Sequence, residues 1–310
     1  MADGLETAAF ADAHRARLAV IGDVVASGGD AEVLLGHWGC PRLDEATLAS
    51  MPSLRLFAYA AGTVKEIVTP AVWARGIVVT SAAAANAVPV AEYTLAAILF
   101  ANKGVLASRE RLRATSDVRI RRPRPLGNVA KRVGLIGASL VGRRVIELLR
   151  PFDLEVVVAD PYLDDAEAER LGVTRVELGE LVATSDIVSV HAPNLPSTRH
   201  LIGPAQLGAM RDGATLVNTA RGAIVDTDAL VEALRDGRIS AVLDVTDPEP
   251  LPPDHPLLSL PNAFVTPHVA GAQGSELGRL ADLAITEIER FVAGAPPLHP
   301  VNERDLERMA

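Results

Sequence analysis

Apolar positions along this chain follow two alternating patterns: short unbroken runs of strand length, and stretches where they recur every three or four residues. Runs at 17–25, 30–35, 54–59 and 76–80 predict four strands in the first hundred residues. Between them, 43–51 has helical spacing, with Asp44 and Glu45 in the opening turn where the helix dipole favours negative charge. Pro89 predicts the start of a long helix over 90–103, because its missing N–H would be unpaired there anyway. Residues 106–131 hold no clear period and include Pro123, Pro125 and Gly127, which predicts a connection with a helical first half. Further strands are predicted at 132–136, 155–159, 174–176, 187–191, 215–219, 240–245 and 263–266. Helices are predicted from 141 onward and at 178–183, 204–210, 227–235 and 277–293. Alternation of this kind predicts α/β architecture, with parallel sheets covered by helices.

Composition narrows the class. With 310 residues the chain is long enough for two domains, and 49% hydrophobic with 4% aromatic residues suits a soluble α/β protein. A formal charge of −9 disfavours nucleic acid or an anionic membrane as the main partner. The one basic run, 119–124, sits among prolines and reads as a solvated connection. Cys40 is the only cysteine, so no internal disulfide forms, and it reads as an inert thiol in a reducing compartment. The longest apolar stretch, 88–101, contains Glu92 and falls short of a membrane span. With no signal-peptide core at the N-terminus, the expected location is the cytoplasm.

Two places carry chemistry. Residues 131–147 read KRVGLIGASLVGRRVIE, a strand, a tight turn over Gly137, Ala138, Ser139, Leu140, Val141 and Gly142, and a helix. Such a unit binds a dinucleotide pyrophosphate at the helix N-terminus. Asp160 ends the next strand about two dozen residues on, where an acid accepts from both ribose hydroxyls and repels a 2′-phosphate, favouring NAD over NADP. Ser139 departs from the motif by replacing its middle glycine. Its Cβ would crowd the pyrophosphate while its hydroxyl could donate to it, so a modest loss of affinity at most is expected.

The second place is a set of three polar residues just past predicted strands: Arg221, Glu249 and His268. Singly they have ordinary readings as a surface ion-pair member, a loop residue between prolines and a helix cap. Together they make an acid–base set facing one crevice, since ligands bind at the strand ends of open parallel sheets.

The strings NTARGAIVDTDAL and TPHVAGA, with the spacing from Asp244 to Glu249-Pro250 between them, resemble signatures of the D-isomer-specific 2-hydroxyacid dehydrogenase family. LIGASLVGRRV followed by VVVADPY is similar to its coenzyme unit, SDIVSVHAPNLPSTRHLI to its next segment, and ANAVPVAEYTLA to its substrate-domain helix. The resemblance covers nearly the whole chain in order.

It implies an NAD-dependent oxidoreductase that interconverts a D-2-hydroxy acid and its 2-keto acid. Arg221 would bind the substrate carboxylate, His268 would be the acid/base, and Glu249 would hydrogen-bond the imidazole and favour its charged form. Gly137, Ser139, Leu140, Val141 and Gly142 would hold the pyrophosphate, Asp160 the ribose and Asp244 the carboxamide. His191, Pro193, Thr198, Thr219, Ala220 and Gly271 would line the rest of the cofactor site. Ala61 and Gly62 would meet the substrate. No metal is implied, and a homodimer is.

The implied fold is two Rossmann-like/flavodoxin-like domains, an NAD-binding Rossmann domain over 99–284 inserted into a discontinuous substrate domain of 1–98 and 285–310. Two further departures bear on the substrate domain. The loop 61–65 lacks the family's Gly-x-Asp-Asn ending, leaving substrate identity open, and Lys65 reads as solvated rather than as a second charge for a larger acid. The N-terminus is short: the helix that 7–18 resembles follows only six residues, so the first strand of the sheet is expected to be missing and an edge exposed. No regulatory extension is expected after residue 302.

Two other functions compete. Some relatives resembling this family act as NAD-regulated transcriptional co-repressors, which makes an NAD-sensing interaction protein the alternative. A methyltransferase shares the glycine turn and the acid, but has no use for the strings around Arg221 and His268.

Overall fold

Valine, isoleucine and leucine crowd the apolar runs, as expected for strands buried on both faces of a parallel sheet. The structure, a computed structural model, describes residues 9–25, 29–116 and 126–306. In chain order the strands are β1 (Val33–Gly36), β2 (Leu56–Tyr59), β3 (Val78–Ser81), β4 (Val129–Ile136), β5 (Asp153–Ala159) and β6 (Thr174–Arg175). They continue as β7 (Ile187–Val190), β8 (Thr215–Asn218), β9 (Ser240–Leu243), β10 (Ala263–Val265) and β11 (Pro300–Val301). Among the described residues, those through Val88 and from Gly271 onward form one compact unit, and those from Pro89 to Ala270 form the other.

The Pro89–Ala270 unit is a parallel sheet in the order β10-β9-β8-β7-β4-β5-β6. Successive side chains of a strand go to opposite faces, and both faces are covered. Val133, Leu135, Val158, Val217 and Val242 pack with Ala91 and Ile98 of helix Ala83–Asn102 and with Val145, Ile146 and Leu149 of helix Leu140–Leu149. Ile136, Val157, Val188, Leu216 and Leu243 pack on the other side with Leu181, Leu207, Leu230 and Leu234. In the second unit β1, β2 and β3 are parallel, and β11 lies antiparallel beside β3.

Several expectations change. Residues 17–25 are not a strand: 12–21 form the helix Asp12–Ile21. The pattern misleads because residues 18–21 are apolar in a row, whereas the positions that make contacts are His14, Arg17, Leu18 and Ile21, at helical spacing. Arg17 donates to Asp282 at 2.8 Å and to Glu289 at 3.0 Å on helix Leu277–Val292, and Leu18 and Ile21 pack into the same apolar cluster as Leu280 and Ile285. Val20, left over, is exposed.

Pro89 does not open its helix but sits inside Ala83–Asn102. One interior proline removes a single i→i−4 bond, and the helix start is secured by Ser81, whose Oγ accepts from the Ala83 N–H at 3.1 Å. By length and composition this helix is long and apolar enough to cross a membrane, which the shorter run 88–101 is not. The units change over at 88/89 and 270/271, earlier than 98 and 284. Ala91 and Ile98 belong to the parallel core, while Ala272, Leu277, Leu280 and Ala281 pack with Phe10, Ala60 and Ala82.

Strand β11 and the short helix Pro70–Ala74 carry no periodic pattern and are additions. The buried carboxylate of Glu287 seats the segment leading to β11, accepting from the Leu298 N–H at 3.0 Å and the His299 N–H at 2.7 Å. The basic run 119–124 and the short N-terminal stretch 1–6 lie outside the described residues.

Two fully enclosed histidines give the fold a pH signature. Burial holds His37 down to about 4 and His191 down to about 3, so both stay neutral when folded. The unfolded chain takes up these protons below about 6.5, so it binds more protons than the native state between that pH and each folded value. Stability is therefore full above about 6.5 and falls as pH drops, by up to about 1.4 kcal/mol per unit for each histidine. Urea unfolding at pH 7 and pH 5 measures this. Equal stabilities at the two values would show that these rings are protonated in the fold.

Candidate active site

The larger sheet has its switch of direction between β4 and β7, the place where ligands bind beyond the carboxyl ends of parallel strands. Gly137 follows β4 with φ +100°, and a Cβ there would lie 2.9 Å from the Ala192 nitrogen and 3.0 Å from the His191 carbonyl. A Cβ on Gly142 would lie 2.2 Å from the Gly137 carbonyl oxygen. Backbone approach therefore requires the first and third glycines of the motif.

Ser139 is different. Its φ of −67° is ordinary for any residue, and it is the N-cap of helix Leu140–Leu149, with Oγ accepting from the Gly142 N–H at 3.3 Å. The cap contributes about 1 kcal/mol, and the hydroxyl retains its own hydrogen for donation. Leu140 is exposed on the first turn and Val141 half-buried beside it.

Asp160 follows β5 and ties it to the glycine turn. One carboxylate oxygen accepts from the Ala138 N–H at 2.6 Å, the other from the Tyr162 N–H at 2.8 Å. Each oxygen keeps a further lone pair for a ribose hydroxyl. Past β7, the buried His191 places Nε2 2.9 Å from Ser189 Oγ and leaves Nδ1 without a partner. The Thr198 hydroxyl donates to the Pro193 carbonyl at 2.6 Å and accepts from the Leu195 N–H, so it shapes the 193–198 turn. These features fit a dinucleotide: a backbone cradle with no room for Cβ, a helix N-terminus, an acid at the neighbouring strand end and an orphaned buried ring nitrogen.

Farther along the sheet, β8, β9 and β10 are neighbours, with Leu243 in register with both Asn218 and Val265. Arg221, Glu249 and His268 all lie on the loops beyond these three ends. Asn218 is buried and bends its loop, donating from Nδ2 to the Arg221 carbonyl at 2.9 Å and accepting from the Ala220 N–H at 3.0 Å. The Arg221 guanidinium donates to the Ala220 carbonyl at 2.7 Å. Gly222 abuts the next loop: a Cβ there would lie 2.0 Å from the Thr246 carbonyl.

His268 Nδ1 lies 2.7 Å from Glu249 Oε1, and both side chains are exposed. The His268 backbone is left-handed, with φ +54°. Asp244 holds that loop. Its Oδ1 accepts from Thr266 Oγ1 at 2.6 Å and from the Val269 N–H at 2.8 Å, its Oδ2 from the Ala270 N–H at 2.8 Å, and its carbonyl from the His268 N–H. The carboxylate expected to meet a carboxamide is thus buried, with its principal contacts inside the loop that carries the histidine.

Thr219 and Ala220 are buried at the β8 end. Ala61, Gly62 and Gly271 belong to the other unit. There the Gly62 carbonyl accepts from Ser81 Oγ at 2.6 Å, and a Cβ on Gly271 would lie 3.2 Å from Asn86 Oδ1. Among the described residues no group of three or more His, Cys, Asp or Glu side chains is placed to hold a metal ion. Asn218 and Gly222 shape the loops of this candidate site, and sequence reasoning did not single them out. Both stand inside a quoted string, but an amide and a glycine carry no chemistry that marks them in sequence.

Residues 95–270 match the model of the D-isomer specific 2-hydroxyacid dehydrogenase NAD binding domain. A glyoxylate reductase of Aeropyrum pernix is 36% identical over 268 residues, covering 84% of this chain and 80% of that protein. The chain belongs to the D-isomer-specific 2-hydroxyacid dehydrogenase family. It is also 32% identical to a D-3-phosphoglycerate dehydrogenase of Archaeoglobus fulgidus over 269 residues, 86% of this chain but 50% of that one. The chain thus spans about half the length of such D-3-phosphoglycerate dehydrogenases. Among solved structures, the NAD complex of a D-isomer specific 2-hydroxyacid dehydrogenase from Lactobacillus delbrueckii superposes with a TM-score of 0.77 at 25% identity, covering 87% of this chain and 86% of that one. The region matched by the family's NAD-binding domain contains the glycine cradle, Asp160, Arg221, Glu249 and His268.

Proposed function

We propose that this protein is an NAD-dependent reductase of a small 2-keto acid, forming the D-2-hydroxy acid and running in reverse as a dehydrogenase. The observation that carries the reading is the 2.7 Å contact between Glu249 and His268 at exposed strand ends of the coenzyme-binding unit. Glu249 accepts from Nδ1–H of the imidazolium, which fixes the ring and leaves Nε2–H to give its proton to the substrate carbonyl oxygen. Arg221 offers a planar fork of donors to the substrate carboxylate and draws charge from the adjacent carbonyl. NADH, when bound, supplies the hydride. In the oxidative direction the neutral imidazole takes the hydroxyl proton back.

Relatives named for glyoxylate and for D-3-phosphoglycerate support a small 2-keto or 2-hydroxy acid as the substrate class. The reading includes a homodimer and a cytoplasmic location, both by likeness to the family. The paired histidine and carboxylate, with Arg221 on the neighbouring strand-end loop, argue for chemistry over a binding-only NAD sensor. The deciding experiment is NADH oxidation against glyoxylate, hydroxypyruvate and pyruvate, with NADH affinity measured in parallel. Turnover of at least one acid is expected. Tight NADH binding without turnover of any would overturn the enzyme reading in favour of the sensor.

A further inference from the structure

Tyr93 and Thr94 are consecutive on helix Ala83–Asn102, within the Pro89–Ala270 unit, and each reaches a different strand end. Tyr93 Oη lies 2.6 Å from Thr266 Oγ1, and Thr266 Oγ1 lies 2.6 Å from Asp244 Oδ1. An ionised carboxylate only accepts, so the Thr266 proton is committed to Asp244 and Tyr93 must be the donor to Thr266. Burial keeps the Tyr93 phenol protonated, in keeping with that role. Asp244 in turn receives the N–H groups of Val269 and Ala270 and, on its carbonyl, that of His268. The donors from Tyr93 and from the loop that carries the acid/base residue, left-handed at His268, therefore converge on Asp244.

Thr94 makes the companion link. Its hydroxyl donates to the Val90 carbonyl at 2.8 Å, so in the 2.9 Å contact with Thr219 Oγ1 it accepts and Thr219 donates. Both threonines are buried. Thr219 leads into the turn that Asn218 closes around Arg221.

We propose that Tyr93 and Thr94 are positioning residues for the two catalytic strand ends, Tyr93 holding His268 through Thr266 and Asp244, and Thr94 holding Arg221 through Thr219. The proposal rests on the reading of Arg221 and His268 as the catalytic pair. One turn of one helix thereby fixes the proton donor and the carboxylate clamp, and the two links are separable in kinetics.

Tyr93→Phe loosens the acid/base loop, so kcat for keto-acid reduction falls about tenfold while KM for the acid stays within about twofold. Thr94→Val loosens the carboxylate clamp, so KM rises about fivefold with a smaller change in kcat, and Thr94→Ser restores it. NADH affinity stays unchanged in all three. Amide hydrogen exchange provides a readout independent of turnover: Val269 and Ala270 exchange faster in Tyr93→Phe, while amides of β8 do not. Wild-type kinetics in both variants would overturn the proposal, as would equal effects on kcat and KM that follow a lowered Tm. If the wild-type protein turns over no keto acid, the functional reading fails, and unchanged exchange at Val269 and Ala270 is then the result that overturns positioning.

Discussion

Replacing His268 with alanine lowers keto-acid reduction by about 10²–10⁴-fold, the usual contribution of a positioned general acid. NADH affinity should hold, because the glycine cradle and Asp160 lie at the β4 and β5 ends, away from the β10 end that carries the histidine. Alanine is not a clean probe on its own, since His268 has φ +54°, a region that histidine and asparagine occupy more readily than alanine. Asparagine tolerates the left-handed region, so His268→Asn separates loss of the proton donor from loss of loop geometry. Both variants should lose activity alike. Glu249→Gln should fall between them and the wild type, because an amide oxygen still accepts from Nδ1–H at the position of Oε1 but brings no charge to stabilise an imidazolium. Steady-state kinetics with fluorescence titration of NADH checks the series, and full activity in His268→Asn would remove His268 from the chemistry.

Gly222→Ala carries the second large effect. The added Cβ would fall 2.0 Å from both the carbonyl carbon and oxygen of Thr246 and 2.6 Å from the Asp247 nitrogen. All three are backbone atoms, which cannot swing aside as the end of a long side chain can. The loop carrying Arg221 and the loop leading to Glu249 must separate. A shift of about 1 Å in such a constellation costs on the order of 10²-fold in rate, and the overpacking costs about 1–3 kcal/mol of stability. Gly179→Ala is the control, since nothing lies within 4 Å of the position its Cβ would take. Activity and Tm measured on both variants decide the matter, and near-normal kinetics in Gly222→Ala would mean that these loops are not held in register by that contact.

The coenzyme half was legible because its signal is local. A strand, a tight turn and an amphipathic helix stand next to one another in the chain, and Asp160 follows at a distance fixed by one βα step. Helix boundaries in the other unit were not. Asp12–Ile21 is held by ion pairs to helix Leu277–Val292, more than two hundred and fifty residues away, and its continuous apolar run imitates a strand. Pro89 misled in the other direction: it marks a helix start by local rule, yet the small residues before it and the Ser81 cap let the helix begin earlier. Ser139 was open on sequence alone. Its negative φ and its bond to Gly142 show that the middle position of this turn needs no glycine conformation.

The sequence by itself determined the α/β class and the dinucleotide turn with its acid, and it singled out Arg221, Glu249 and His268 as candidates, because each depends on residue type and on spacing along the chain. Only the tertiary structure decided how those three are held. Glu249 meets His268 across a loop, Asp244 turns its carboxylate inward to the His268 loop, Asn218 closes the turn at Arg221, and Gly222 lies against Thr246. Apart from the local turn at Asn218 and Arg221, these are contacts between groups on different segments, made where adjacent parallel strands end together, and strand adjacency is set by the packing of the whole sheet.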